Sequence, residues 1–505
     1  MIQSSRPPNI LFAIADDWSF GHAGAYGCDW VKTPNFDRVA REGLLFNNAY
    51  TPNAKCAPSR AALLTGRNSW QLEDAGNHQS VFPPKFKTFP EALEDVGYAI
   101  GHTAKGWAPG IALNPDGSNR LLTGKRYNER FLEPPTSGIS AIDYAANFTN
   151  FLEEAGSRPW CFWYGCLEPH RPYEWQSGAK IAGKSIEDID RVPAYWPDTE
   201  TVRHDLLDYA FEVEHFDRQL GVMLQEIEQR GELENTLVVV TSDNGMPFPR
   251  VKGQGYDHSN HLPLAMRWGD RIANPGRAID DFVSFIDIAP TFLDASRIDW
   301  KDTGMASFAG RSLMDIVESN DDGIIDPTRD RVLIGKEKHD IGRPGNVGYP
   351  IRGIVTERFL YLKNFKPERW PVGNPETGYL NCDGSPTKTQ ILELRSNPES
   401  AHFWQLSFGK RPPEEFYDLQ ADPDCMNNLA NDPAFEANIA VLRERMLEEL
   451  EQQGDPRLVG DNPDIFDTYP IFKEKWENFY ERFLAGQAED PAWANRSDVD
   501  TSIVD

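Results

Sequence analysis

Apolar positions along this chain fall into two alternating patterns. Unbroken runs at 9–15, 98–103, 160–167 and 236–241 are too short for helices and lack polar alternation, which predicts strands buried on both faces. Between them lie stretches with helical spacing. Thr33-Pro34 opens one that Gly43 closes, Thr88-Phe89-Pro90 opens another ending at Gly97, and 141–155 and 202–230 are two more. Segment 282–294 reads as a strand running into a helix, and 331–335 as a further strand. This alternation predicts an α/β fold, a large mostly parallel sheet flanked by helices.

Beyond about Tyr349 the pattern changes. Segments 351–355 and 359–364 read as a hairpin, and the remainder is rich in Pro, Trp and acidic residues with one helix at 434–453. The expected division is a catalytic domain over 1–348 and a smaller α+β subdomain with an antiparallel sheet over 349–505, ending in a loose acidic tail after Trp493. There are no internal repeats.

Polar residues gather where the predicted strands end. Asp16-Asp17 follow the first, Lys105 the second, Glu168-Pro169-His170 the third, Asp243-Asn244 the fourth and Lys336-Glu337-Lys338-His339-Asp340 the last. Open α/β sheets bind ligands outside the carboxyl ends of their strands, so these clusters predict one shared site. Asp16, Asp17, Asp243 and Asn244 offer hard oxygen donors suited to Ca2+ or Mg2+. No convergent His or Cys set argues for zinc. Each acidic pair alone also fits a helix cap or a turn.

The segment Cys56-Ala57-Pro58-Ser59-Arg60 carries a different chemistry. Pro58 suits the first turn of a helix, where no N–H donor is needed. The thiol therefore sits at or just before a helix N-terminus, where free N–H groups attract anions. Arg60 adds a planar fork of donors shaped for a tetrahedral oxyanion.

The formal net charge is -27, with 51 Lys and Arg against 78 Asp and Glu over 505 residues. Such a chain repels nucleic acid and anionic membrane surfaces, and neither is expected as a partner. An anionic substrate would need a local basic pocket or a bound cation. The six cysteines are scattered and show no paired metal spacing, leaving the redox compartment open. Met1 to Pro8 lacks the apolar core of a signal peptide, and no run reaches membrane-spanning length. The expected location is cytoplasmic, or periplasmic or secreted where an export signal has been removed. Composition does not set the oligomeric state.

The run from Cys56 to Gly66 resembles the signature C-x-P-S-R-x-x-x-L-T-G of type I sulfatases, in the alkaline phosphatase superfamily. The resemblance implies that Cys56 is oxidised to formylglycine by a formylglycine-generating enzyme. One hydroxyl of the hydrated aldehyde then attacks sulfur, and the other expels sulfate. It further implies a metal, usually Ca2+, on Asp16, Asp17, Asp243, Asn244 and residue 56. Lys105 and Lys252 match sulfate-binding basic residues, Arg60 would help stabilise the sulfate oxygens, and His170 matches a histidine at the ester oxygen. Phe285-Ile286-Asp287 and Gly310-Arg311-Ser312 resemble structural motifs of the family, so the likeness runs from Asn9 to about Leu429.

Asp243-Asn244-Gly245-Met246-Pro247-Phe248-Pro249, Tyr349-Pro350-Ile351-Arg352 and Phe416-Tyr417-Asp418-Leu419 are most similar to the heparan N-sulfatase (sulfamidase) branch. The implied substrate is a sulfated saccharide, cleaved at a sulfate ester or a sulfamate. Two positions depart from the common pattern. Trp107 replaces a His two residues after Lys105, and His261 replaces an Arg downstream of Lys252. His102, His22 and His258 are available in place of the first, and each also reads as an ordinary supporting histidine. Lys336, Glu337, His339, Asp340 and Arg343 could contact sugar hydroxyls, or could form surface salt bridges. Trp107, Trp370 and Tyr256 could stack on a sugar face, or simply pack. Two other readings fit the same residues: a phosphonate monoester or phosphodiester hydrolase, and an unmatured, non-catalytic sugar-binding protein.

Overall fold

The computed structural model describes residues 6–502. The first five residues, part of the segment read for a leader, lie outside it. Eight strands form the main sheet: β1 (Asn9–Ala15), β2 (Leu44–Tyr50), β4 (Ala99–Ala104), β6 (Lys125–Arg126), β7 (Trp160–Gly165), β8 (Thr236–Ser242), β9 (Leu264–Arg267) and β10 (Arg277–Ser284). Their order is β10-β2-β9-β8-β1-β7-β4-β6. β3 (Ser80–Phe82) and β5 (Gly110–Ala112) make a small parallel pair beside it. In the main sheet only β9 runs against its neighbours, β2 and β8.

β1 lies between β7 and β8, with Ile10 opposite both Cys161 and Leu237. Every residue of β1 is buried, and its side chains alternate between two cores as strand geometry requires. Leu11, Ala13 and Ala15 face a core shared with Phe216 and Leu220 of the long helix Glu200–Gln229. Ile10, Phe12 and Ile14 face another, shared with Leu63 and Leu64 of the helix Cys56–Thr65, Leu93 of Phe89–Asp95 and Phe292 of Ile288–Ala295. The sheet is thus covered on both faces, as the unbroken apolar runs predict.

Periodicity leaves the short strands β3, β5, β6 and Glu414–Asp418 hidden, and β2 and β9 as well. β2 carries Asn47 and Asn48 in mid-strand and is only partly buried, while β9 is four residues long.

Strand β11 (Arg331–Lys336) does not join this sheet. It pairs antiparallel with β12 (Ile351–Thr356), followed by β13 (Phe359–Asn364) and β14 (Glu414–Asp418). The second sheet therefore begins at Arg331, and a division at 348/349 falls within it. Helix Glu436–Gln452 packs on this sheet through Ile439, Leu442, Met446 and Leu450. The expected loose tail is also corrected. Trp493 packs edge-on against Trp476 and its Nε1 donates to the Leu380 carbonyl at 3.0 Å, and Asp498 is buried beside Lys388 at 3.3 Å. No helix of the described residues is long and apolar enough to cross a membrane.

Candidate active site

Because β1 and β8 are parallel neighbours, with Ala15 opposite Ser242, the residues leaving both strands emerge side by side. Asp17 takes a positive φ of 80°, a conformation that costs a non-glycine residue on the order of 1–3 kcal/mol. The turn is held by its own amide, which donates to Asp243 Oδ1 at 3.2 Å, and by Asn244 Nδ2, which donates to Asp17 Oδ1 at 2.6 Å. Helix Cys56–Thr65 brings its first residue to the same place, where Cys56 Sγ lies 3.4 Å from Asp16 Oδ1. Pro58 sits in the first turn, and Gly66, at φ 66°, closes the far end as a left-handed cap. One donor atom from each of Asp16, Asp17, Cys56 and Asp243 lies within 4.8 Å of the others.

These residues fit a hard divalent cation. Three buried carboxylates converge, and Asn244 Oδ1 is buried with no hydrogen-bond partner. An orphaned amide oxygen beside carboxylates suits Ca2+ or Mg2+ coordination, and among the described residues this group of donors includes no histidine.

Cations of the protein itself rim the cluster. Lys105 Nζ donates to Asp16 Oδ2 at 2.5 Å, and Lys252 Nζ to Asp17 Oδ2 at 2.6 Å and Asp383 Oδ2 at 2.9 Å. Arg60 approaches the cluster from the same helix as Cys56. It is fully buried, its Nε donates to Asp243 Oδ2 at 2.8 Å, and Nη1 donates to the carbonyls of Lys105 at 2.8 Å and Gly106 at 3.0 Å. Nε and Nη1 thus hold Asp243 and the Lys105 loop, while Nη2, 3.7 Å from Asp16 Oδ1, is buried with no hydrogen-bond partner.

The charges adjust accordingly. Burial raises Asp16, but Lys105, His170 and Arg60 outweigh it and hold the carboxyl at about 2. Burial and the adjacent Asp16 push Asp243 up. Burial opposes the charge on Lys105 and Lys252, yet Asp16 in one case and Asp17 with Asp383 in the other keep both raised. Burial, then Asp16, push the Cys56 thiol well above its usual value, so the surrounding side chains do not generate a thiolate.

The cluster opens into a cavity of about 1160 Å3. Seven basic side chains line it against four acidic ones, a positive concentration on an acidic chain. A Sulfatase family model matches residues 8–298, more than half of the chain. The chain belongs to the sulfatase family. It is 27% identical to the human (Homo sapiens) N-sulphoglucosamine sulphohydrolase over 489 residues, covering 90% of this chain and 91% of that one. It is 26% identical to an ulvan-active sulfatase of Formosa agariphila over 492 residues, covering 89% and 75%. A solved protein in complex with its substrate D-glucosamine-2-N,6-O-disulfate shares the fold at a TM-score of 0.62, with 21% identity and coverage of 91% of this chain and 99% of that one.

In this sulfatase Cys56, Asp16, Lys105, His170 and Lys252 line the cavity, with Asp17, Asp243 and Asn244 immediately beneath. His170 Nδ1 donates to the Arg171 carbonyl at 2.7 Å, which leaves Nε2 facing Asp17 at 4.0 Å. Trp107 lines the wall, its Nε1 donating to the Ala57 carbonyl at 2.9 Å. Of the histidines considered in place of the one absent at 107, His102 reaches the cavity, and burial pulls it down to about 4. His22 is instead held against Tyr209 at 3.1 Å, and His258 is partly buried, edge-on to Tyr195.

The sugar-contact set is largely overturned by burial. Glu337 is sealed between Arg352, 2.6 Å from Oε1, and Arg457, 2.6 Å from Oε2. Arg343 is spent on the carbonyls of Trp370 and Pro371, and burial lowers it to about 10. Lys336 likewise donates to Pro371, and His339 is fully buried with Nε2 on Asn53 Oδ1 at 2.7 Å. Tyr256 and Trp370 are buried as well. With Trp107, Asp340 is the member of this set that reaches the cavity, held by Lys55 at 2.7 Å and by His78 and Gln79 at 3.0 Å each.

Because Glu337 is the shared anion of two buried guanidinium groups, Glu337→Ala is expected to destabilise the fold by about 3–5 kcal/mol. Denaturant titration checks this, and a loss below about 1 kcal/mol would contradict the burial argument.

Lys55, His78 and Asp383 were not singled out from the sequence. Lys55 directly precedes Cys56 and could have been flagged on that ground. His78 and Asp383 carry no local signal, since one follows a 3-10 turn and the other precedes an ordinary helix cap.

Proposed function

We propose that this sulfatase removes sulfate from a sulfated saccharide, with Cys56 oxidised to formylglycine as the nucleophile. The convergence of Asp16, Asp17, Cys56 and Asp243 within 4.8 Å, flanked by Lys105 and Lys252, carries the reading. The cavity supports a saccharide, since about 1160 Å3 exceeds the roughly 300–1,000 Å3 of ordinary small-molecule sites. The names of the relatives support a carbohydrate substrate.

Asp16, Asp17, Asp243 and Asn244 would hold a divalent cation, whose positive charge polarises the sulfate and lowers the cost of forming the nucleophile. Asp243, raised by its surroundings, takes the proton of the attacking hydroxyl. Lys105 and Lys252 bind the sulfate oxygens and neutralise charge as the sulfo group passes to residue 56. Arg60 keeps Asp243 and Lys105 in register. His170, oriented by the Arg171 carbonyl, delivers a proton from Nε2 to the departing oxygen or nitrogen. Residue 56 then releases sulfate through its second hydroxyl.

His170→Ala tests the leaving-group role. The variant should lose about 10²–10⁴-fold on a sugar sulfate, whose leaving group needs a proton, and far less on an aryl sulfate. Equal losses on both would remove His170 from that role. The function itself is tested by sulfate release from protein co-expressed with a formylglycine-generating enzyme, across N-sulfated glucosamine, O-sulfated sugars and an aryl sulfate. Release from one sugar class supports the reading. Silence across the panel with residue 56 shown by mass to be converted, together with turnover of phosphodiesters or phosphonates, overturns it.

A further inference from the structure

Asp383 lies in the loop before the helix Pro386–Glu393, 131 residues after Lys252. Its Oδ2 accepts from Lys252 Nζ, which also reaches Asp17. The residue is 5% exposed and lines the cavity, and its Oδ1 has no hydrogen-bond partner among the described residues. One ligand atom from each of Asp383, His170 and Asp17 lies within 4.8 Å of the others. That spacing could suit a second metal, but the Lys252 ammonium already bridges the two carboxylates, and a cation there would meet a like charge. Burial works against charge on Asp383, yet Lys252, His170 and Lys55 outweigh it and hold its carboxyl far below the usual range. A buried anion with one unengaged oxygen therefore stands beside the imidazole assigned to the leaving group.

Both classes of sulfated saccharide leave an electron pair on the departing atom, but only the nitrogen keeps an N–H that such an anion can accept. When the S–O bond of an ester breaks, its electron pair stays on oxygen, which is negative until the proton of His170 arrives. A neighbouring carboxylate opposes that charge. When the S–N bond of a sulfamate breaks, the pair stays on nitrogen, the proton of His170 makes a neutral amine, and a further proton from water makes an ammonium. The carboxylate attracts the N–H groups throughout. We propose that Asp383 is a specificity-determining residue that accepts an N–H of the substrate nitrogen and so favours N-sulfated over O-sulfated saccharides. The inference rests on the proposed reading of His170 as the group that protonates the leaving atom.

The ratio of kcat/KM for N-sulfated glucosamine to that for 6-O-sulfated N-acetylglucosamine isolates this role. Loosening of Lys252 would lower both reactions together, because both substrates present the same sulfo group to it. Matured wild-type protein should prefer the N-sulfate. Asp383→Asn should reduce the ratio by about 10–100-fold, since a site built to accept a substrate N–H discriminates strongly against its absence. Asp383→Glu should recover part of the ratio. Parallel losses in Asp383→Asn, or a wild-type preference for the O-sulfate, overturn the assignment while leaving the sulfatase mechanism standing. If Asp383→Asn does not fold, the wild-type and Asp383→Glu ratios still decide. Failure of matured wild type to release sulfate from any substrate overturns the underlying function as well.

Discussion

Cys56→Ser should produce a folded protein that releases no more than one equivalent of product per site and then stops. The position is 1% exposed and packed at the start of a helix buried along its whole length, and serine is the smaller side chain. Its Oγ would occupy the place of the Sγ that now reaches Asp16, so the melting temperature should hardly move. Serine carries one hydroxyl on its carbon, however, and the sulfate ester it forms has no second hydroxyl to expel the sulfate. Steady-state turnover should fall by at least about 10³-fold, the order expected when an essential covalent group is disabled. Mass spectrometry should find a sulfo adduct on the peptide spanning residue 56. The unoxidised cysteine form should be silent too, because burial and Asp16 keep its thiol protonated. Wild-type multiple turnover by the serine variant would refute the formylglycine mechanism.

Removing divalent cations with a chelator should abolish sulfate release, and Ca2+ or Mg2+ should restore it. Three carboxylates whose oxygens lie within 4.8 Å repel one another by about 3–4 kcal/mol per pair at an effective dielectric near 20. Lys105, Lys252 and Arg60 offset much of this, but they also hold the carboxylates ionised. A bound cation should therefore stabilise the fold, by about 2.7 kcal/mol at a hundredfold excess over its dissociation constant. In a chain of this size that corresponds to a rise of a few degrees in melting temperature. Calorimetry gives a readout that does not depend on activity. Asp17→Asn should weaken ion binding and lose the stabilisation. Full activity in chelator, with no thermal shift on adding either ion, would rule out the cation site.

The convergence of the candidate site was legible because its residues stand next to punctuation marks of the fold. Asp16-Asp17, Lys105, His170 and Asp243-Asn244 each follow a strand, Cys56 begins a helix, and parallel pairing of β1 with its neighbours brings these ends together. The misreadings share one cause. Glu337 and Arg343 are charged residues after a strand, which ordinarily means solvent. Their partners, Arg457 and the Trp370 carbonyl, are remote in sequence and close over them only in the fold. Asp383 and His78 were missed for the same reason in reverse, since nothing near them in the chain marks their approach to Cys56. β11 shows the limit of periodicity, which identifies a strand but not the strand it will pair with.

One consequence follows from where the cavity wall comes from. Asp16, Asp17, Cys56, Lys105, His170, Asp243, Asn244 and Lys252 all belong to the first half of the chain. Asp340, Asp383, Lys473, Trp476 and Trp493, which also line the cavity, come from the last third. The cavity is thus built mostly from the first half of the chain, with a smaller share from its last third. Insertions or substitutions late in the reading frame can retune which sugar is admitted while the ion cradle and the nucleophile pass unchanged from one descendant to the next.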